Sequence, residues 1–239
     1  MKIAVLERNS VGTDIDVTCF EDFGEVTYYR NTVAADAAEK VKDVDIIIAN
    51  KAPMNEETLK DAPNVKLICE FATGFDNIDL EYCKKRRIKV ANVKDYSTAA
   101  VAQHTFALAL YLLEHLPHYD TYVKDGSYGA QDRFSNFELP FTELAGKTWG
   151  IIGMGNIGRM VAKIATAFGC KVIFHSVTGK STCTEYEQVS KDELLAQSDI
   201  LSLHCPLSDL TRNFIDKEAL SKMKKTALLI NVARGPVVN

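Results

Sequence analysis

Short apolar runs alternate with helix-like segments along the first part of the chain. Buried strands are predicted at residues 3–6, 44–49, 65–69 and 89–92, and helices at residues 34–42, 56–61 and 77–87. Runs that are apolar on both faces and separated by helices are typical of a parallel sheet covered on both sides. Residues 1–97 are therefore predicted to form one α/β domain.

A helix of a different kind follows. Ser97 or Thr98 can cap a helix that runs to about Leu116 and stops before Pro117. Its apolar residues occupy nearly every face, so we expect burial on all sides, between domains or between subunits. Residues 118–143 are predicted to be irregular and are rich in aromatic side chains. They are compatible with a subunit-contact arm and equally with a core-packed excursion.

The pattern of strand and helix then resumes. Strands are predicted at residues 148–152, 171–175, 200–204 and 227–232, and helices at residues 156–168, 191–197 and 217–223. This alternation indicates a second parallel sheet, so residues 98–239 are predicted to form the second domain.

Composition and charge narrow the class of protein. The chain is 46% hydrophobic and 25% charged, with a net charge of −4. The basic run at residues 84–87 ends a predicted helix, where cations suit the helix dipole. Neither nucleic acid nor a membrane is expected as a partner. Six cysteines without metal spacing and an N-terminus that reads as a strand favour a cytoplasmic protein without a bound metal.

The strongest local motif is Gly153-Met154-Gly155-Asn156-Ile157-Gly158, between an apolar strand and an amphipathic helix. In that context Gly153 permits a tight turn, Gly155 admits a pyrophosphate, and Gly158 allows close packing of helix on strand. Amides at the helix start then bind the phosphates, so a dinucleotide is the predicted ligand.

The next strand lacks the acid that usually binds the ribose of NAD. Ser176 occupies the expected position, Thr178 and Lys180 follow, and no Asp or Glu occurs between Gly158 and Glu185. A carboxylate would repel a 2′-phosphate, whereas hydroxyls and a cation accept one. The cofactor is therefore NAD or NADP, with NADP favoured, although Lys180 is equally compatible with a solvated loop and the usual arginine is missing.

Five segments together resemble the D-2-hydroxyacid dehydrogenase family, in family order. They are residues 72–79, 101–105, 144–148 running into the glycine motif, 204–207 and 231–235. The sequences at residues 72–75, 101–106 and 143–145 are most similar to the glycerate dehydrogenase, or hydroxypyruvate reductase, branch.

The resemblance implies two Rossmann-like doubly wound domains with the active site in the cleft between them. Residues 1–97 would be the N-terminal part of the substrate domain, and residues 98–239 an NAD(P)-binding domain that is incomplete at its C-terminus. It also implies hydride transfer between NAD(P)H and a small 2-keto or 2-hydroxy acid, D-stereospecific, with hydroxypyruvate, glycerate or glyoxylate favoured, in a homodimer. Which 2-hydroxy acid is used stays open.

The resemblance also assigns site residues. Amides around Ala72, Thr73 and Gly74 would bind the substrate carboxylate as an anion nest, although a strand-to-helix turn capped by Asp76 or Asn77 is compatible with the same residues. Arg234 would polarise the keto oxygen and clamp the carboxylate, where a lone arginine is usually a surface ion pair. Further cofactor contacts are expected at the helix start and at strand ends: Gly155, Asn156, Ile157, His204, Cys205, Pro206, Val232 and Ala233.

Neither His204 nor His104 is expected to be the proton donor. His204 matches a cofactor position and not the proton donor, and His104 is expected to be buried in its helix. In this family a glutamate and the proton-donating histidine follow the arginine, and the sequence ends at Asn239 before either, so we expect the natural chain to continue. Alternative readings are a non-catalytic cofactor-sensing corepressor-like module, a formate dehydrogenase, and a methyltransferase, against which Ser176 argues.

Overall fold

A computed structural model describes residues 1–239, which form two compact units, Met1–Tyr96 and Ser97–Asn239. Each unit contains its own parallel five-stranded sheet. The two sheets with their helices give the α/β, Rossmann-like architecture predicted from the sequence, and that prediction is confirmed. No helix has the combined length and apolar character needed to cross a membrane.

The sheet of the first unit has the order β2-β1-β3-β4-β5. Its strands are β1 Lys2–Val5, β2 Glu25–Tyr28, β3 Ile46–Ala49, β4 Leu67–Glu70 and β5 Lys89–Asn92. The central strands β1 and β3 are almost fully buried, as their continuous apolar runs predict. The edge strand β2 was not predicted, because its residues alternate between exposed and partly buried and never form an apolar run.

Three helices cover this sheet: α1 Ala34–Val41, α2 Glu56–Leu59 and α3 Leu80–Lys85. The side chain of Asp79 accepts a hydrogen bond from the Tyr82 amide, so α3 begins at Leu80 and not at Asn77 as predicted. Lys84 and Lys85 lie in its last turn, in agreement with the interpretation of the basic run as a helix end.

The sheet of the second unit has the order β10-β9-β6-β7-β8. Its strands are β6 Thr148–Ile152, β7 Lys171–His175, β8 Glu187–Gln188, β9 Ile200–Leu203 and β10 Leu228–Asn231. The two-residue edge strand β8 is too short and too exposed to give a sequence signal. The other four strands lie within a residue or so of their predicted positions.

Six helices belong to the second unit: α4 Thr98–Leu113, α5 Leu116–Lys124, α6 Ser127–Ala130, α7 Asn156–Ala167, α8 Lys191–Gln197 and α9 Lys217–Lys222. The aromatic ring of Phe106 in α4 lies 4.5 Å from that of Trp149 in β6 and 5.6 Å from that of Phe168, between centroids. Helix α4 thus contributes to the hydrophobic core that also includes residues of α7.

Within its own chain, α4 is buried on one face only. Only Ala102, Thr105, Phe106 and Ala109 are buried, whereas the opposite face exposes Leu108, Tyr111 and Leu112. His104 lies on the exposed side of α4 and is not buried within its own chain, contrary to the expectation. The uniform apolar pattern does not indicate which face of α4 packs inward; its contacts with α7, β10 and Trp149 of β6 determine that orientation.

The segment after α4 is also more regular than predicted. Helix α5 includes Pro117, which occupies its first turn, where a missing amide hydrogen costs nothing. His115 adopts a left-handed conformation with φ of 50° and separates α5 from α4. Pro117 therefore lies at the start of a helix and does not only end the preceding one. The irregular segment is limited to residues 131–143.

Candidate functional site

The glycine motif forms a tight turn directly after β6. Gly153 has a φ of +94°, and a Cβ there would lie 2.8 Å from the Cys205 amide nitrogen and 2.9 Å from the His204 carbonyl oxygen. The His204 amide donates to the Ile152 carbonyl at 2.8 Å, which ties the loop after β9 to this turn. Only glycine satisfies both the conformation and the close approach.

The two other glycines of the motif have opposite surroundings. A Cβ on Gly158 would lie 2.2 Å from the Gly153 carbonyl oxygen, so helix α7 packs directly on the turn. A Cβ on Gly155 would meet no atom within 4 Å. Gly155 precedes the first residue of α7, and no side chain caps this helix end. The helix start therefore offers amides to an open space, which suits a pyrophosphate.

A cavity of about 270 Å³ extends from this turn within the second unit. Its lining is made of glycine-turn residues, the loop after β7 and the loop after β9: Gly153, Met154, Gly155, Arg159, Ser176, Val177, Thr178, Lys180, Ser181, Thr182, Cys205, Pro206, Ser208 and Thr211. Two of these residues are cations, six carry hydroxyl groups and none is an acid. The lining therefore fits an anionic ligand.

The structure brings together half of the cofactor residues predicted from the sequence. The lining includes Gly153, Gly155, Ser176, Lys180, Cys205 and Pro206. Asn156, Ile157 and Gly158 form the start of α7, while His204, Val232 and Ala233 lie at strand ends outside the lining. Sequence reasoning missed six lining residues: Arg159, Val177, Ser181, Thr182, Ser208 and Thr211. Of these, Arg159 directly follows the glycine motif, so its position in the first turn of the helix was predictable.

His204 is held in a chain of hydrogen bonds inside the second sheet. Trp149 Nε1 donates to Ser202 Oγ at 2.9 Å, and Ser202 Oγ lies 3.0 Å from His204 Nε2. His204 Nδ1 is buried and makes no hydrogen bond. Burial lowers the pKa of His204 from 6.5 to about 4, because a charged ring would lose its hydration there. The ring is therefore neutral near pH 7, which agrees with a role other than proton donor.

The loop after β10 presents Arg234. The Asn231 side chain accepts from the Ala233 amide at 3.0 Å and donates to the Arg234 carbonyl at 2.9 Å. These two bonds fix the backbone around Arg234, whose side chain is exposed. A guanidinium on a fixed backbone is suited to bind an oxyanion or a carboxylate.

The first unit contains the turn Ala72-Thr73-Gly74 after β4. Two of its three carbonyl groups accept hydrogen bonds: Asn92 Nδ2 donates to the Thr73 oxygen at 2.8 Å and the Val93 amide donates to the Ala72 oxygen at 3.1 Å. Thr73 Oγ1 also donates to the Val93 oxygen at 2.8 Å. The amides of residues 72–74 donate none of the backbone hydrogen bonds of the turns and loops. The turn is therefore held through its acceptors while its donors stay available to an anion.

A buried carboxylate organises the neighbouring loop. Glu7, which is 5% exposed, accepts hydrogen bonds from the amides of Asn50, Lys51 and Ala52 at 2.8, 3.2 and 2.6 Å. Asn77 Nδ2 then donates to the Ala52 carbonyl at 3.1 Å. These hydrogen bonds connect the loop after β3 with the loop after β4.

Several large apolar side chains of the second unit are exposed. Phe134 is 89% exposed and Phe137 is 77% exposed, and Tyr111 and Leu112 of α4 are about half exposed. Apolar area of this kind is typical of a surface that another protein covers. We call these four residues the aromatic surface.

Comparison with known proteins places the chain among dehydrogenases. The profile of the D-isomer specific 2-hydroxyacid dehydrogenase NAD binding domain matches residues 106–239. A hydroxypyruvate reductase from Blautia hydrogenotrophica is 37% identical over 245 residues, covering 100% of this chain and 76% of the relative.

Two solved structures are similar over 100% of the chain. One is D-lactate dehydrogenase from Aquifex aeolicus with NAD and lactic acid, with a TM-score of 0.86, 33% identity and 71% of that protein covered. The other is an acyclic imino acid reductase in complex with NADPH and D-Arg, with a TM-score of 0.88, 30% identity and 76% covered. Both complexes contain a nicotinamide cofactor.

Proposed function

The chain belongs to the D-isomer specific 2-hydroxyacid dehydrogenase family, and from that premise we propose that it reduces hydroxypyruvate or glyoxylate to the corresponding 2-hydroxy acid. Members of this family are oxidoreductases that use a nicotinamide cofactor. The similarity to a hydroxypyruvate reductase supports the choice of substrate. In the reverse direction the same site would oxidise a D-2-hydroxy acid such as D-glycerate.

The residues of the second unit fit the cofactor. Gly155 has open space where a Cβ would stand, and the amides at the start of α7 face that space without a side-chain cap. Asn156 and Ile157 would hold the pyrophosphate there, with Gly153 and Gly158 keeping turn and helix together. His204, Cys205 and Pro206 after β9, and Val232 and Ala233 after β10, would border the cofactor from the strand ends. When bound, the nicotinamide supplies the hydride.

Each unit would contribute one part of the substrate chemistry. In the first unit, assigned as the substrate domain, the amides of Ala72, Thr73 and Gly74 bind the carboxylate. In the second unit, assigned as the NAD(P)-binding domain, Arg234 stabilises the negative charge that develops on the keto oxygen. The observation that carries the proposal is the turn at residues 72–74, where the Ala72 and Thr73 carbonyls accept hydrogen bonds while the three amides donate none of the backbone bonds of the turns and loops.

Turnover tests this assignment. NADPH and NADH absorbance would be followed after addition of hydroxypyruvate or glyoxylate, in wild type and in Arg234→Gln, with Arg212→Gln as an exposed arginine control from the same unit. Removing one charge-stabilising group is expected to lower kcat by roughly 100-fold or more, and the control should match wild type. Equal turnover by wild type and Arg234→Gln would refute the role of Arg234. Cofactor binding without any turnover by the full-length protein would favour a cofactor-sensing module.

We also propose NADP as the preferred cofactor. Ser176 stands where an acid would bind the ribose of NAD, and it lines the cavity together with Lys180. Ser176→Asp is expected to shift the ratio of kcat/KM toward NADH, because a carboxylate repels a 2′-phosphate and accepts hydrogen bonds from ribose hydroxyls. A wild-type preference for NADH would contradict the proposal.

We further propose a cytoplasmic homodimer that forms through the aromatic surface. All six cysteines are free thiols, which suits a reducing compartment. Light scattering is expected to give a dimer for wild type and for Phe23→Ser, an exposed aromatic of the first unit, and a monomer for the double variant Phe134→Ser and Phe137→Ser. A wild-type monomer would overturn this proposal.

A further inference from the structure

Arg159 occupies a position that the glycine motif alone does not explain. It lies in the first turn of α7, one residue after Gly158, and it is half-buried in the lining of the cavity. Its Nη2 donates to Thr182 Oγ1 at 3.3 Å. None of the ion pairs in the structure includes Arg159. A half-buried guanidinium without a carboxylate partner is suited to an anion from outside the chain.

The surroundings of Arg159 are selective for negative charge. The loop after β7 contributes Ser176, Thr178, Lys180, Ser181 and Thr182 to the same lining. No acid belongs to the lining, so no carboxylate lining the cavity repels a bound anion. Two cations and several hydroxyls around one space are the donor set that a phosphate group requires.

We propose that Arg159 is a specificity-determining residue that binds the 2′-phosphate of NADP, with Lys180 as a second cation. The proposal rests on the proposed cofactor site and names the residue responsible for its preference. The sequence indicated no arginine in the loop after β7; the structure supplies the guanidinium from helix α7 instead. A planar guanidinium can donate two parallel hydrogen bonds to a phosphate, which an ammonium group cannot do.

Thr182 has a positioning role in this subsite. Its hydroxyl accepts the hydrogen bond from Arg159, so it orients the guanidinium and connects the loop after β7 to α7. Thr182→Val is expected to weaken NADPH binding less than loss of Arg159 does, since the charge remains. Thr182→Ser keeps the hydroxyl and is expected to restore binding.

Direct binding tests the inference without any need for turnover. Calorimetry would measure the Kd of NADPH, NADH, 2′,5′-ADP and 5′-AMP for wild type, Arg159→Gln and Lys163→Gln. Lys163 is an exposed cation one turn further along α7 and outside the cavity lining, so its variant carries the same change in charge on the same helix. Trp149 fluorescence would verify that each variant is folded.

Arg159→Gln is expected to weaken NADPH and 2′,5′-ADP by roughly 10- to 100-fold, the effect of one or two charge-assisted hydrogen bonds, and to leave NADH and 5′-AMP nearly unchanged. Lys163→Gln should match wild type for all four ligands. Equal weakening of all four ligands in a folded Arg159→Gln would overturn the inference, as would an unchanged preference for NADPH. A wild type that binds NADH more tightly would instead contradict the proposed cofactor, and the inference would fail with it.

Discussion

Replacing His204 with glutamine is expected to flatten the acid dependence of stability in the second unit. Burial holds the pKa of His204 at about 4 in the folded protein, against 6.5 for the free side chain. Glutamine stays neutral at every pH and can still accept a hydrogen bond from Ser202. The substitution therefore removes the titration while it keeps a polar partner for the chain of hydrogen bonds.

The sign and size follow from the difference between the two pKa values. Above the unfolded pKa both states are neutral and His204 contributes no pH dependence. As the pH falls below the unfolded pKa, His204 binds a proton in the unfolded state but stays neutral in the folded state, so the free energy of unfolding decreases. The decrease is complete once the pH has passed the folded pKa, and amounts to about 3 kcal/mol. Between about pH 7 and about pH 4.5 the loss is about 2 kcal/mol.

Trp149 provides the assay. It is the only tryptophan of the chain, it is fully buried in β6, and it lies in the same unit as His204. Its fluorescence therefore reports unfolding of the second unit in urea across this pH range. Carboxylates such as Asp216, whose pKa the Ala219 amide lowers, lose their contribution only at lower pH and do so in both proteins.

The control is His104→Gln, because His104 is exposed in the same unit. Wild type and this control are expected to lose about 2 kcal/mol more than His204→Gln does between the two pH values. If a folded His204→Gln showed the same loss as wild type, burial of His204 would not be the source of the acid sensitivity and the reasoning would be refuted.

Three further substitutions test the packing that positions the site. Gly158→Ala is expected to lower the free energy of unfolding by about 1–3 kcal/mol and to weaken cofactor binding, because the added Cβ would overlap a backbone oxygen. The control is Gly235→Ala, where the added Cβ would meet no atom within 4 Å, and urea unfolding should show almost no change in stability. Glu7→Gln is expected to lower the free energy of unfolding of the first unit by about 2–3 kcal/mol, because a neutral side chain replaces the carboxylate that accepts from three amides. Hydrogen exchange at the amides of residues 50–52 should become faster. Ser202→Ala leaves the Trp149 donor unpaired and is expected to cost about 1–3 kcal/mol, measured by Trp149 fluorescence, whereas unchanged stability would contradict the bond.

Those elements whose residues carry a strong local signal were predictable. Strands β1, β3, β6, β7 and β9 are continuous apolar runs, and burial on both faces of a parallel sheet demands such runs. Helix α7 follows the glycine motif and its residues alternate with the helical period. Edge strands β2 and β8 and helix α5 lack such a signal, because an exposed edge or a proline at a helix start places few constraints on residue type.

The sequence by itself determined the family, the α/β architecture, the nicotinamide cofactor and the glycine turn. These follow from local chemistry, since Gly153 needs a left-handed conformation and an apolar run needs a covered sheet. Tertiary structure alone decided which face of α4 is exposed, how Ser202 connects Trp149 to His204, and that Arg159 and Lys180 border one cavity. Such facts depend on contacts between residues distant in the chain, about which hydrophobic periodicity carries no information.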